Sequence, residues 1–308
     1  MLLQSSNNNL GSSRSSPKRG LKDPFYCDTH LARNNIYWSR RNKERPEQVV
    51  ALQNYIFHQR ASPGPWTERV WEDWELRDLG QEWSKSKVKS VLENRFFPDP
   101  TLETPPRGLK RTDKTRMSEH AVPHSGSRFK VKTPRPNMLY GYEPEVFTRT
   151  QVEVGGGGVE ILAANADRML FPFLVVELRG DGESMMAARN ACLGTTASCV
   201  NFVERLNARL EVVESTTAGG TTLPSQSDIQ QVNSAVFSII ANSTIALVNI
   251  TWKENQTEDN YFMTLVKGFV HGDPDGYIEF RKCILNILDW GMTERLNEIR
   301  EALDVLAR

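Results

Sequence analysis

Glu177 and Arg179 stand one residue apart at the end of the apolar run FPFLVVELRGDG, residues 171–182. A strand repeats every two residues, so the two charges point to the same face at the strand's C-terminal end. Two roles use such a pair. One is a structural ion pair that closes the strand. The other is phosphodiester hydrolysis with a divalent cation. There, carboxylate oxygens at one end of a sheet hold the metal, the metal activates water and neutralises charge developing on the phosphate, and a nearby cation places the nucleophile or stabilises the transition state. Two carboxylates on adjacent strands, with a Lys two residues after the second, meet that need.

Other residue types with chemical potential read more plainly. Cys27, Cys192, Cys199 and Cys283 form no CxxC pair and no Cys/His spacing for zinc. Cys192 and Cys199 lie seven residues apart in an apolar stretch, a helix-core spacing that predicts buried free thiols in a reducing compartment. His120 and His124 sit in a basic loop without further zinc ligands. Gly155–Gly158 is followed by no GK[ST] and reads as a flexible tip, not a phosphate loop. Asp181 lies between Gly180 and Gly182, where a turn residue accepts local backbone hydrogen bonds. Trp66, Trp71, Trp74 and Trp83 could stack on bases, but their placement on a long helix favours packing.

The elements that must position these residues follow from pattern. PEQVVALQNYIF predicts a short helix opening near Pro46. A long helix is expected over about 67–95, capped by Thr67, with Leu76, Leu79 and Trp83 on one face. RPNMLYGY is a short strand candidate, and VEVGGGGVEIL (152–162) reads as two extended pieces around the glycine tip. LFPFLVVELR (170–179) suits a strand buried on both faces. A helix over about 184–211 follows. SAVFSIIA (234–241) and TIALVNITWKE (244–254) then predict a hairpin turning at Asn242-Ser243. The period of DNYFMTLVKGFV (259–270) fits a strand or a helix. Asp273-Pro274 starts a helix to Trp290, which Gly291 breaks and Thr293 restarts. This order gives an α/β fold, a central mixed sheet flanked by helices, in one domain.

The whole chain of 308 residues is neutral, with 38 basic and 38 acidic residues, but the charge is uneven. Residues 1–22 carry Arg14, Lys18, Arg19 and Lys22 and no acid; residues 107–135 carry nine Lys or Arg against Asp113 and Glu119. The remainder is therefore net acidic. We expect a disordered basic tail at 1–22, and a single domain over 23–308 with a flexible basic insertion at about 98–135. Basic arms can neutralise phosphates, which makes nucleic acid a candidate partner. No stretch approaches the ~20 apolar residues of a membrane span. The N-terminus has no apolar run of signal-peptide length, so an intracellular location, nucleus or cytoplasm, is the expectation.

RPNMLYGY, FPFLVVELRGDG, ACLGTTASCVNFVERLN and DGYIEFRKCILNILDWGMTERLNEIREALD together resemble a family of uncharacterised fungal proteins with a PD-(D/E)XK nuclease-like domain. The resemblance covers most of residues 23–307. It implies a restriction-endonuclease-like core, with a metal-binding Asp after a Pro and Glu-x-Lys on the next core strand. Pro136-Asn137 falls where the family has Pro-Asp, Glu177 on the second acid, and Arg179 on the Lys. The implied metal ligands are Glu177 and Asn137, the implied cofactor Mg²⁺, and the implied activity metal-dependent hydrolysis of nucleic acid. A helical Glu often joins such sites; Glu68, Glu72, Glu75 and Glu82 are candidates, and Asp167, Glu153 or Glu160 could substitute for a missing acid. Two of three motif positions depart from the pattern. Asn137 keeps an oxygen but not the charge, and Arg179 keeps the charge but not a compact, titratable ammonium. The alternative is a non-catalytic module on the same fold, binding nucleic acid or a protein.

Overall fold

Nine consecutive residues, Leu170–Leu178 (β4), are buried on both faces, which places this strand inside a sheet covered from both sides. The computed structural model describes residues 20–39, 44–60, 82–102, 108–217, 231–254 and 259–308. The other strands are β1 (Ile36–Trp38), β2 (Leu109–Asp113), β3 (Met138–Tyr142), β5 (Val236–Ala241), β6 (Ile245–Glu254) and β7 (Asn260–Val270). They form one seven-stranded mixed sheet in the order β1-β7-β6-β5-β4-β3-β2. The β4–β5 and β1–β7 pairs are parallel and the rest antiparallel.

A parallel β4–β5 pair needs a crossover, since a tight turn cannot join parallel neighbours. The crossover holds the helix expected near 184–211, which spans Met185–Thr217. The helices, in chain order, are α1 (Glu47–Tyr55), α2 (Lys85–Phe96), α3 (Arg149–Gly156), α4 (Val159–Leu162), α5 (Met185–Thr217), α6 (Pro274–Met292) and α7 (Glu294–Leu306). Helix α5 packs on β4, β5 and β6. Thr196 on α5 reaches Thr251 on β6 through a buried hydroxyl pair at 2.8 Å. On α6, Trp290 meets Phe173 and Phe237 edge-on, at 6.0 and 5.7 Å between ring centres. Cys192, Cys199 and Cys283 are buried free thiols, and Cys27 is partly buried.

Several expectations hold. The hairpin turns at Asn242, whose Oδ1 accepts from the backbone of Thr244 and Ile245. Asp273 caps α6 by accepting from Gly276 N at 3.1 Å, with Pro274 next. Residues 260–270, whose period leaves strand and helix both open, form a strand.

Others need correction. Residues 152–156 and 159–162 are helical, not extended, with Gly157 and Gly158 between the two helices. Thr148 and Gln151 form a reciprocal capping box that starts α3, and Gly157 ends it in the left-handed conformation with φ 88°. The glycines are thus a helix C-cap. The basic 98–135 stretch contains β2, which extends the sheet beside β3. Its later part is pinned by Asn34 Nδ2 to Phe129 O (2.6 Å), Lys132 N to Tyr26 Oη (2.9 Å) and Asn201 Nδ2 to Ala121 O (3.0 Å). Helix α2 begins after Ser84, whose Oγ accepts from Lys87 N, and Trp83 lies before it. Thr67, Leu76 and Leu79 lie outside the described residues, as does most of the 1–22 tail. Gly291 stays helical, and the position needs glycine because a Cβ there would meet the Phe173 ring at 2.2 Å; the break falls at Thr293.

His271 follows β7, is 1% exposed, and lies 5.5 Å from both the Phe96 and Phe280 rings. Burial pushes its pKa from 6.5 down to about 4, opposed by the Ile245 backbone. Below pH 6.5 the unfolded chain therefore binds a proton that the fold excludes. The stability contributed by neutral His271 is full above that pH and is lost as pH falls toward 4. We expect the stability of His271→Phe relative to wild type to rise by up to about 3 kcal/mol between pH 6.5 and 4, measured by urea unfolding. A pH-independent difference refutes this.

Candidate functional site

Asn137 and Glu177 meet at one end of the sheet. Antiparallel pairing sets Met138 against Val176, so the same register carried one step further sets Asn137 against Glu177. The Asn137 side chain spans the pair, its Oδ1 accepting from Leu178 N at 2.8 Å. The Asn137 backbone N–H serves the Glu177 carboxylate. Glu177 Oε2 lies 3.3 Å from an Arg179 terminal nitrogen, with side chains 5% and 16% exposed respectively. Burial raises the Glu177 pKa from 4.5 to about 7, outweighing the opposing pull of Arg179, Lys85 and the Asn137 N–H. Glu177 is thus an acid that titrates near neutrality.

These residues open onto a cavity of about 260 Å³. One wall is the first turns of α5: Asn190, Ala191, Gly194 and Thr195. Small side chains are needed here, since a Cβ on Gly194 would come within 3.1 Å of Val131 on the opposite wall. That opposite wall is the 131–135 segment, which contributes Lys132 and Arg135. Lys85, the first residue of α2, supplies another cation. Its pKa is lowered, by burial first and then by Arg179, with Glu177 pulling the other way. The sequence reading missed Lys85, because it placed this position deep inside a helix starting at 67. The available signal was Ser84, an N-cap residue immediately ahead of Lys85. Lys85 places a compact ammonium in the same cavity as the planar guanidinium of Arg179.

Asp181 does more than shape a turn. It accepts from Trp83 N (2.8 Å) and Ser243 Oγ (2.6 Å), tying the approach to α2 and the β5–β6 turn to the end of β4. The Arg179 N–H donates to Ala241 O at 2.9 Å, continuing the ladder past β4.

The donors present do not suit Mg²⁺. A hard divalent cation is held by several oxygens, usually including more than one carboxylate. This cavity has one carboxylate, Glu177, among four cationic side chains, and Asn137 Oδ1 is already engaged by Leu178. Among the described residues, no group of three His, Cys, Asp or Glu side chains is placed to hold a metal ion. Asp167, Glu153, Glu160 and Glu82 do not line the cavity. Asp167 accepts from Thr115 Oγ1 near the opposite end of β4, and Glu153 pairs with Arg149. Glu68, Glu72 and Glu75 lie outside the described residues.

What the sheet and site define is an α/β protein with a cationic, single-acid pocket at the C-terminal end of its central strand. Residues 76–303 match the model of a family described as a domain of unknown function, DUF7924; the match covers well over half of the chain, which belongs to that family. No curated protein and no solved structure matches it.

Two variants test the local account. Asn137→Ala leaves the buried Leu178 N–H without its acceptor, so we expect a loss of about 1–3 kcal/mol in urea unfolding, with Asn137→Asp nearer wild type. An Ala variant as stable as wild type refutes the clasp. For Glu177, the fold retains a proton that the unfolded chain releases above pH 4.5, so its contribution to stability falls as pH rises through 7. Glu177→Gln should accordingly gain up to about 3 kcal/mol on wild type between pH 4.5 and 7. A gain confined to lower pH, or none, counts against a buried neutral acid.

Proposed function

We propose that the chain is a nuclease-like fold that holds nucleic acid by its backbone without cutting it. The observation that carries this reading is a continuous cationic groove. The 260 Å³ pocket shares Lys85 and Asn137 with a neighbouring depression of about 610 Å³ that adds Lys89 and Lys114. On its other side it shares Val131–Thr133 and Arg135 with one of about 720 Å³ that adds Arg116 and Lys130. The acids along this track are spoken for: Glu93 by Arg111, Glu119 by Arg116, and Glu177 by Arg179. Among the described residues, no carboxylate lies within ion-pair distance of Lys85, Lys114, Lys130 or Lys132. Lys89 is paired with Asp113 and Glu93, so the cations left for phosphates are Lys85, Lys114, Lys130 and Lys132; such cations release counterions when phosphates bind, the main source of sequence-independent affinity. Such contacts position a strand without reading its bases.

The nuclease-like half of the reading is supported by the placement of Asn137 ahead of β3 and of Glu177 and Arg179 on the next strand, as the resemblance implies. The non-cutting half is supported by the lost second carboxylate and by a net positive pocket that would repel a divalent cation.

Fluorescence anisotropy with a labelled single-stranded oligonucleotide tests the proposal. Affinity should fall steeply with salt, and Lys130→Gln, Lys132→Gln and Arg135→Gln together should flatten the log–log salt slope by about 2, at ~0.7 per lost phosphate contact. Absence of salt-dependent binding overturns the reading. Mg²⁺- or Mn²⁺-dependent cleavage that Glu177→Ala abolishes would replace it with hydrolysis.

A further inference from the structure

Phosphate binding uses only part of the pocket's chemistry. Asn190, in the first turns of α5, is 1% exposed and lines the cavity. Its Nδ2 donates to Leu21 O at 3.0 Å, which fixes the amide's orientation, because a carbonyl oxygen only accepts. The Oδ1 is then a buried acceptor with no hydrogen-bond partner, a costly arrangement unless a ligand supplies a donor. Other polar oxygens of the wall already have partners. Thr195 Oγ1 donates to Ala191 O at 2.7 Å, Tyr26 Oη accepts from Lys132 N, and Asn137 Oδ1 accepts from Leu178 N. Across the cavity, Arg179 Nε is a buried donor that also lacks a partner.

The pocket therefore asks for a small ligand that carries both an anion and a hydroxyl donor. Its volume is below the roughly 300 Å³ at which drug-sized ligand sites begin, so it suits one small unit. A ribose with its phosphate has this pattern; a deoxyribose lacks the 2′-hydroxyl. We infer that the pocket takes one ribose-phosphate unit of RNA, the 2′-hydroxyl donating to Asn190 Oδ1 and the phosphate resting on Arg179 and Lys85. The inference rests on the groove binding nucleic acid, and adds that it distinguishes RNA from DNA at one position.

Anisotropy with the full chain separates the two claims. Three single-stranded probes of about a dozen residues are compared at one salt concentration: oligo(U), oligo(dU) and 2′-O-methyl oligo(U). The wild type should bind oligo(U) about five- to tenfold more tightly than either of the others, as one added hydrogen bond gives. Asn190→Ala should bring the RNA-to-DNA affinity ratio to about one. Equal affinity for oligo(U) and oligo(dU) overturns the inference while leaving the groove in place. So does 2′-O-methyl RNA binding as tightly as RNA, since the methylated oxygen donates no proton; this comparison needs no variant and holds even if Asn190→Ala fails to fold. Failure of all three probes to bind at low salt removes the groove reading as well.

Discussion

The burial of β4 on both faces is the constraint from which the site follows. A strand so placed has neighbours on both edges and layers on both sides. Its partner β5 runs parallel, so the chain must cross over, and the first turns of α5 are laid over the strand's C-terminal end. Glu177 and Arg179 are thereby roofed by Asn190, Gly194 and Thr195 instead of facing water. The same burial raises the Glu177 pKa and makes the nearby cations matter, because charges withdrawn from water interact more strongly.

Asn137 joins two strand ends through a neutral side chain. Its Oδ1 accepts from Leu178 N, a bond that an aspartate oxygen could also accept. An amide at this position therefore holds the ends of β3 and β4 together without adding a second negative charge beside Glu177. The cations around Glu177 then set the character of the pocket. Lys85, Lys132 and Arg135 arrive from segments distant in sequence, and with Arg179 they leave the cavity positive around one titratable acid.

The apolar run at 170–179, the capped start at Asp273-Pro274 and the turn at Asn242-Ser243 were legible because each is a local pattern with a local physical cause. The misreadings share a cause of their own. Gly155–Gly158 was read by composition, whereas the Thr148/Gln151 capping box makes the preceding residues helical and turns the glycines into a cap. The basic stretch was read by charge, whereas β2 within it gains hydrogen bonds from β3 that no local window reveals. Gly291 sits inside its helix, where glycine is required by Phe173, more than a hundred positions earlier, filling the space a side chain would need.

The sequence by itself determined the α/β class and the buried strand with its acid and cation two residues apart at one end. Period and motif are written in neighbouring residues, so these could be read without coordinates. Only the tertiary structure decided what surrounds that site: Lys85 from the start of α2, Lys132 and Arg135 from the pinned basic segment, and the unpartnered Asn190 amide from the crossover helix. Their convergence depends on strand order and on the packing of a helix across the sheet. Both are set by burial of apolar surface over the whole domain, so neither can be read from the spacing of the residues concerned.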